Sequence, residues 1–219
     1  MGSITRSLGN NITTGGVILP AGITNSSVSA VTSFANASGG TLILLSTQTA
    51  SNSATISFTT GLDSTYDMYE FHFINVRPAT DEVDFSFQLS TDSGSNYNTT
   101  ITSTAFYTGH DESDANAYVS YDGNLDLAQS TSFQQLAHDI GNGSDECGSG
   151  VLQLFNPSST TYVKHFISRI SKYHAQNQMN DVYIAGYGNT TSAINAVQFK
   201  FSSGNIADGV FKLYGVKKS

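Results

Sequence analysis

Eight consecutive residues, Val83-Asp84-Phe85-Ser86-Phe87-Gln88-Leu89-Ser90, alternate apolar and polar without a break. Successive side chains of a strand point to opposite faces. The run therefore fits a β-strand with Val83, Phe85, Phe87 and Leu89 inward and Asp84, Ser86, Gln88 and Ser90 outward. A helix would scatter the same apolar residues around its circumference. The region is thus expected to be β, with Phe85 inside a core.

Other segments follow the same logic. Thr41–Gln48 is a compact apolar run, expected to be buried on both faces or to enter the core. Residues 54–60 alternate through Ile56 and Phe58, and residues 66–75 place Tyr69, Phe71 and Phe73 opposite Glu70, His72 and Ile74. Residues 92–96 (DSGSN) read as a hairpin-like turn. Strand patterns also occur over 101–107, 117–121, 151–155, 162–170, 182–187, 194–201 and 210–216. Residues 132–140 have apolar spacing that also fits a short helix, but their β-rich setting favours a strand. With turn clusters throughout and three prolines, the chain reads as all-β. The expected fold is a jelly-roll-like β-sandwich of roughly nine to eleven strands over residues 41–219, preceded by an extended N-terminal arm over 1–40.

Charge is unevenly spread. Residues 1–62 carry one charged side chain, Arg6; residues 63–146 carry fifteen Asp and Glu against one Arg; residues 147–219 carry seven Lys and Arg against two Asp. The arm has scattered apolar residues, among them Ile4, Leu8, Ile12, Val17, Ile18, Leu19 and Ile23. It lacks the charge that keeps a free tail solvated and the apolar density for its own core. These seven residues are expected to order against a partner, as an assembly arm. The net charge of −8 argues against non-specific nucleic-acid binding. No apolar run is long enough for a membrane span, and the first residues do not read as a secretory signal.

Chemistry is hard to find. Cys147 is the lone cysteine, so no intramolecular disulfide or cysteine metal cluster is expected. The five histidines show no metal-ligand spacing, and no phosphate-binding loop or nucleophile elbow occurs. Asp122-Gly123-Asn124-Leu125-Asp126 spaces oxygen donors like the start of a calcium loop, but lacks its closing glutamate. No catalytic residue, metal or cofactor is expected. The better lead is a set of loop residues, Tyr107, His110, Tyr118, Tyr121 and Asn124, whose ring faces and polar groups suit surface recognition.

Two stretches carry a family likeness. Residues 62–97, LDSTYDMYEFHFINVRPATDEVDFSFQLSTDSGSNY, resemble a recurrent block in structural proteins of tailed bacteriophages, particularly marine ones. The end, FSSGNIADGVFKLYGV, is similar to the closing strands of the same proteins, and GITNSSVSAVTSF followed by GGTLILLSTQTAS is similar to their linker and first strand. The resemblance implies a non-enzymatic virion component assembled in the host cytoplasm. A small tail-fibre or tail-tip adhesin comes first, a capsid decoration protein second; a carbohydrate-binding module is the reading from another class. Expected partners are other virion proteins, copies of the chain itself (a trimer favoured) and a host-surface glycan or protein.

Overall fold

The computed structural model describes residues 41–217 together with the backbone of two short strands, β1 (Ile12–Thr13) and β2 (Gly16–Val17). These pair antiparallel, with Ile12 opposite Val17. Of the other arm residues, Ile4, Leu8, Ile18, Leu19 and Ile23 lie outside the described residues. The chain divides into two units, Met1–Gly39 and Gly40–Ser219.

Among its described residues the second unit is all β. Its strands are β3 (Leu42–Ser53), β4 (Ile56–Phe58), β5 (Met68–Pro78), β6 (Val83–Ser90), β7 (Ile101–Asp111), β8 (Ala117–Tyr121), β9 (Gln134–Ile140), β10 (Gly148–Phe155), β11 (Lys164–His174), β12 (Gln178–Gly188), β13 (Ala196–Phe201) and β14 (Ile206–Val216). That makes twelve, above the expected nine to eleven. The less regular segments at 101–107, 117–121 and 132–140 all form strands, the first two pairing with each other.

The pairing is nested. β6 pairs β9, β5 pairs β10, β4 pairs β13 and β3 pairs β14, all antiparallel. Rolling such a ribbon over itself brings β14 against β5 and β13 against β6, as observed. One run of strands is then β3-β14-β5-β10 and the other β4-β13-β6-β9. The hairpins β11–β12 and β7–β8 widen the first run to eight strands. A single pair, His174 opposite Ile140, joins β11 to β9, so the twelve strands form a nearly closed, barrel-like sheet.

Phe199 on β13 sits at the centre of the core. Its ring meets those of Phe58, Phe71, Phe73, Phe85, Phe87 and Phe211 at centroid distances of 5.0 to 6.4 Å. Four strands, β4, β5, β6 and β14, thus converge on one side chain of a fifth. Tyr69, Phe71 and Phe73 are all buried, on the face the alternation assigns them.

Three local expectations are corrected. Ser86, Gln88 and Ser90 are as buried as their apolar neighbours. The segment ahead of β9 crosses that face, and Gln88 Nε2 donates to the carbonyls of Thr131 and Ser132. β3 is not buried on both faces. It is the outer strand of the ribbon, with β14 its only ladder partner among the described residues, and Leu44 is 52% exposed. The 92–96 turn is present, but it leads into β7, which pairs with β12 and β8 and not with β6.

Truncating either Phe85 or Phe199 to Ala is expected to cost about 3–5 kcal/mol, since little can collapse into so crowded a cavity. Urea unfolding checks this. A wild-type midpoint for both variants would place the core elsewhere.

Candidate functional site

The eight-stranded run has one face against the core and one toward solvent. On that outer face the ladder aligns residues in rows across the strands. One row is Tyr121, Phe106, Tyr183, Arg169, Val151 and His72, on β8, β7, β12, β11, β10 and β5. Phe106 and Tyr183 stack with centroids 4.7 Å apart and planes 3° from parallel. The Arg169 guanidinium lies 5.1 Å from the Tyr183 ring. Arg169 also forks onto Asp181, with Nη2 to Oδ2 at 2.6 Å, and the Tyr183 hydroxyl donates to the same carboxylate at 2.9 Å. The stack is therefore locked before any ligand arrives. Such preorganisation lowers the ordering cost of binding.

The two ends of this face differ. Around β5 and β14 it is polar: His72 bonds Glu70 at 2.8 Å and Gln153 donates to Glu70. Around β7, β8, β11 and β12 it exposes Phe106, Val119, Tyr121, Ile167 and Met179. Between two rows there lies a groove of about 530 Å³, lined by Thr104, Ala185, Ile167, His165 and Tyr187 among others.

The structure separates the residues expected to act together. Tyr121 and His110 point outward on neighbouring strands and Asn124 is exposed in the turn after β8. Tyr107 and Tyr118 instead turn inward: their rings meet edge to face at 5.7 Å, and Tyr118 covers Gly109, where a Cβ would come within 2.3 Å of it. Alternation along β8 separates Tyr118 from Tyr121 by an odd number of residues, so they cannot share a face. The possible calcium turn is self-contained. Asp122 Oδ1 accepts the Asn124 N–H, and Asp126 accepts the Tyr121 hydroxyl, which pushes the Tyr121 pKa up. Asp111 likewise accepts from Asn116, Ala115 and Ser113; the Asn116 amide is the main reason its carboxyl sits below the usual range. Sequence reasoning missed Phe106, Tyr183, Arg169 and Asp181, although period-two alternation around buried Val182 points both 181 and 183 outward.

A second cluster lies inside, near the single β11–β9 link. Lys172 and Asn180 face each other across β11 and β12, both buried. Against them stands His138 on β9, with Tyr107 4.6 Å and His174 5.8 Å from its ring. A bulge explains His138. Val83 pairs Ile140 and Phe85 pairs Ala137, so two β9 residues oppose Asp84 alone. Asp139 takes the left-handed φ of 44°, and its N–H donates to Asp84 Oδ1. A bulge of this kind re-aims one side chain, here His138, toward the interior.

Burial dominates the electrostatics there. It pushes the His138 pKa down to about 4 and that of Lys172 to about 7, lowers His174 and raises Asp84. His138, Asp139 and His174 bring ligand atoms within 4.8 Å of one another. Their chemistry does not suit a metal. His174 Nδ1 accepts the Gln176 N–H at 3.0 Å, which leaves the proton of the neutral ring on Nε2, 3.7 Å from Asp139. Lys172, donating to the Asp139 carbonyl at 3.4 Å, places a competing cation beside the same carboxylate.

Two pH effects follow. The folded His138 binds its proton less readily than the unfolded one, so its contribution to stability is complete above about pH 6.5 and disappears as pH falls through about 4. The loss is about 3 kcal/mol, and His138→Gln should flatten it in urea titrations. Lys172 has the same sign in a higher window: stability should climb from about pH 7 to about 10.5, where the folded amine has shed its proton and the unfolded one still holds it. Lys172→Met should remove that climb. A wild-type curve flat over both windows would contradict the assignment.

No protein-family model, no curated protein and no solved structure matches this chain.

Proposed function

We propose that the chain is a non-enzymatic structural component of a tailed-phage virion, a small tail-fibre or tail-tip adhesin. Its N-terminal arm docks it to other virion proteins, and the outer face of β7, β8, β11 and β12 meets the host surface. The reading starts from the block over residues 62–97, which spans β5, β6 and the turn after them. The four nested strand pairs support reading the domain as a jelly roll, with β7–β8 and β11–β12 as insertions. Jelly rolls recur in viral and lectin domains, so the fold agrees with the reading by analogy.

The observation that carries the recognition role is the exposed, prelocked Phe106–Tyr183–Arg169 stack. Aromatic and Arg side chains on an exposed apolar patch are typical of interaction surfaces. A homo-oligomer, with a trimer favoured, and a virion location complete the proposal. Capsid decoration is the second reading, because the same arm and domain would serve on a head.

Deleting residues 1–38 should abolish incorporation into particles, judged by immunoblot of purified virions, while circular dichroism still reports a folded β domain. Undiminished incorporation would refute the arm's role. Gold-labelled antibody on intact particles then separates the two locations: label at the tail tip supports the adhesin, label over the head supports decoration.

A further inference from the structure

The groove on the outer face is built as a slot. Its floor is the row Thr104, Ala185 and Ile167, aligned across β7, β12 and β11. Thr104 and Ala185 have short side chains, while the rows on either side carry rings. The groove's lining wall is Tyr187 and His165, whose rings meet edge to face at 5.9 Å; on the opposite side the ladder sets the stacked Phe106 and Tyr183 as the next row, a flank beyond the lining residues. Wall and flank are four residues apart along β12, about 13 Å at strand spacing. The slot runs perpendicular to the strands.

Its chemistry narrows the occupant. A peptide docking by strand addition needs a free sheet edge. The floor here lies on β7, β12 and β11. β12 and β11 are paired on both sides in the ladder. Beside the floor the outer edge of β7 is bonded by the segment after β8: the Asp122 N–H donates to the Ala105 carbonyl and the Leu127 carbonyl accepts the Ser103 N–H, so no row of free main-chain groups faces the slot. An anionic ligand would need unpaired positive charge, and Arg169, in the flanking row, is already bidentate on Asp181. What remains is aromatic surface beside uncharged polar groups. Among the described residues the Tyr187 hydroxyl and the His165 imidazole have no hydrogen-bond partner. Ring faces pack on the C–H faces of sugars, and the free hydroxyl and imidazole suit sugar hydroxyls.

We infer that this slot binds a neutral glycan chain lying across β7, β12 and β11. The inference rests on the reading of the domain as a surface-recognition module and specifies what it recognises.

The test is affinity electrophoresis of the purified full chain in gels cast with laminarin, dextran, mannan or alginate. At least one of the three neutral polysaccharides should retard it. Tyr187→Ala and Tyr183→Ala should bind roughly tenfold more weakly, the loss of one aromatic contact. Ala185→Trp and Thr104→Trp fill the floor from solvent-facing positions, one half-buried and one exposed, and should abolish retardation with unchanged melting temperatures. The inference is overturned if no neutral polysaccharide retards the chain, if only alginate does, or if both floor variants bind normally. Virion incorporation is scored separately. Lost glycan binding with normal arm-dependent incorporation sinks this inference alone; arm-independent incorporation sinks the attachment reading alone.

Discussion

The packing of Phe199 between the two strand runs is the contact on which the rest of the domain depends. Phe199 sits on β13 and touches rings from β4, β5, β6 and β14. Each of those strands belongs to a different one of the four nested pairs. The fold has no helix among its described residues to cover a sheet face. Each run must therefore bury its apolar face against the other, and an aromatic layer supplies the volume. Strand order and ring packing then support each other, because the ribbon can roll only where the rings meet.

The fold class was legible in the sequence where one face meets water or core cleanly. β6 begins and ends where the alternation does, and Tyr69, Phe71 and Phe73 face inward as their spacing requires. What the sequence concealed came from long-range covering. Ser86, Gln88 and Ser90 look like an outer face until the segment ahead of β9 crosses them. The same holds for the bulge at Asp139. Nothing local marks it, yet it turns His138 into the interior beside Lys172.

The candidate surface was only half legible. Tyr121 and His110 are exposed, as expected, on β8 and β7. Tyr107 and Tyr118 were grouped with them by proximity in sequence, which period-two geometry does not respect. The stack of Phe106 and Tyr183 joins residues far apart in the chain, so only the register of β7 against β12 reveals it. The charge asymmetry gains a partial structural meaning as well. Lys172 from the basic third lies beside Asp84 and Asp139 from the acidic one, and Arg77 of the acidic segment bonds Asp208 of the basic one at 2.6 Å.

The outermost pair of the ribbon has a mechanical consequence. β3 and β14 run antiparallel over ten register pairs, from Leu42 opposite Val216 to Ser53 opposite Ile206. The chain therefore enters and leaves the domain at one end, where Lys217 donates to the Thr41 carbonyl. Tension between residue 41 and a load on the outer sheet face pulls β3 along its own axis. The ladder bonds then share the force in shear. Tension applied between the two chain ends would instead peel them apart one pair at a time. A domain anchored through its N-terminal side is thus loaded in its stronger direction, and one anchored through both ends in its weaker.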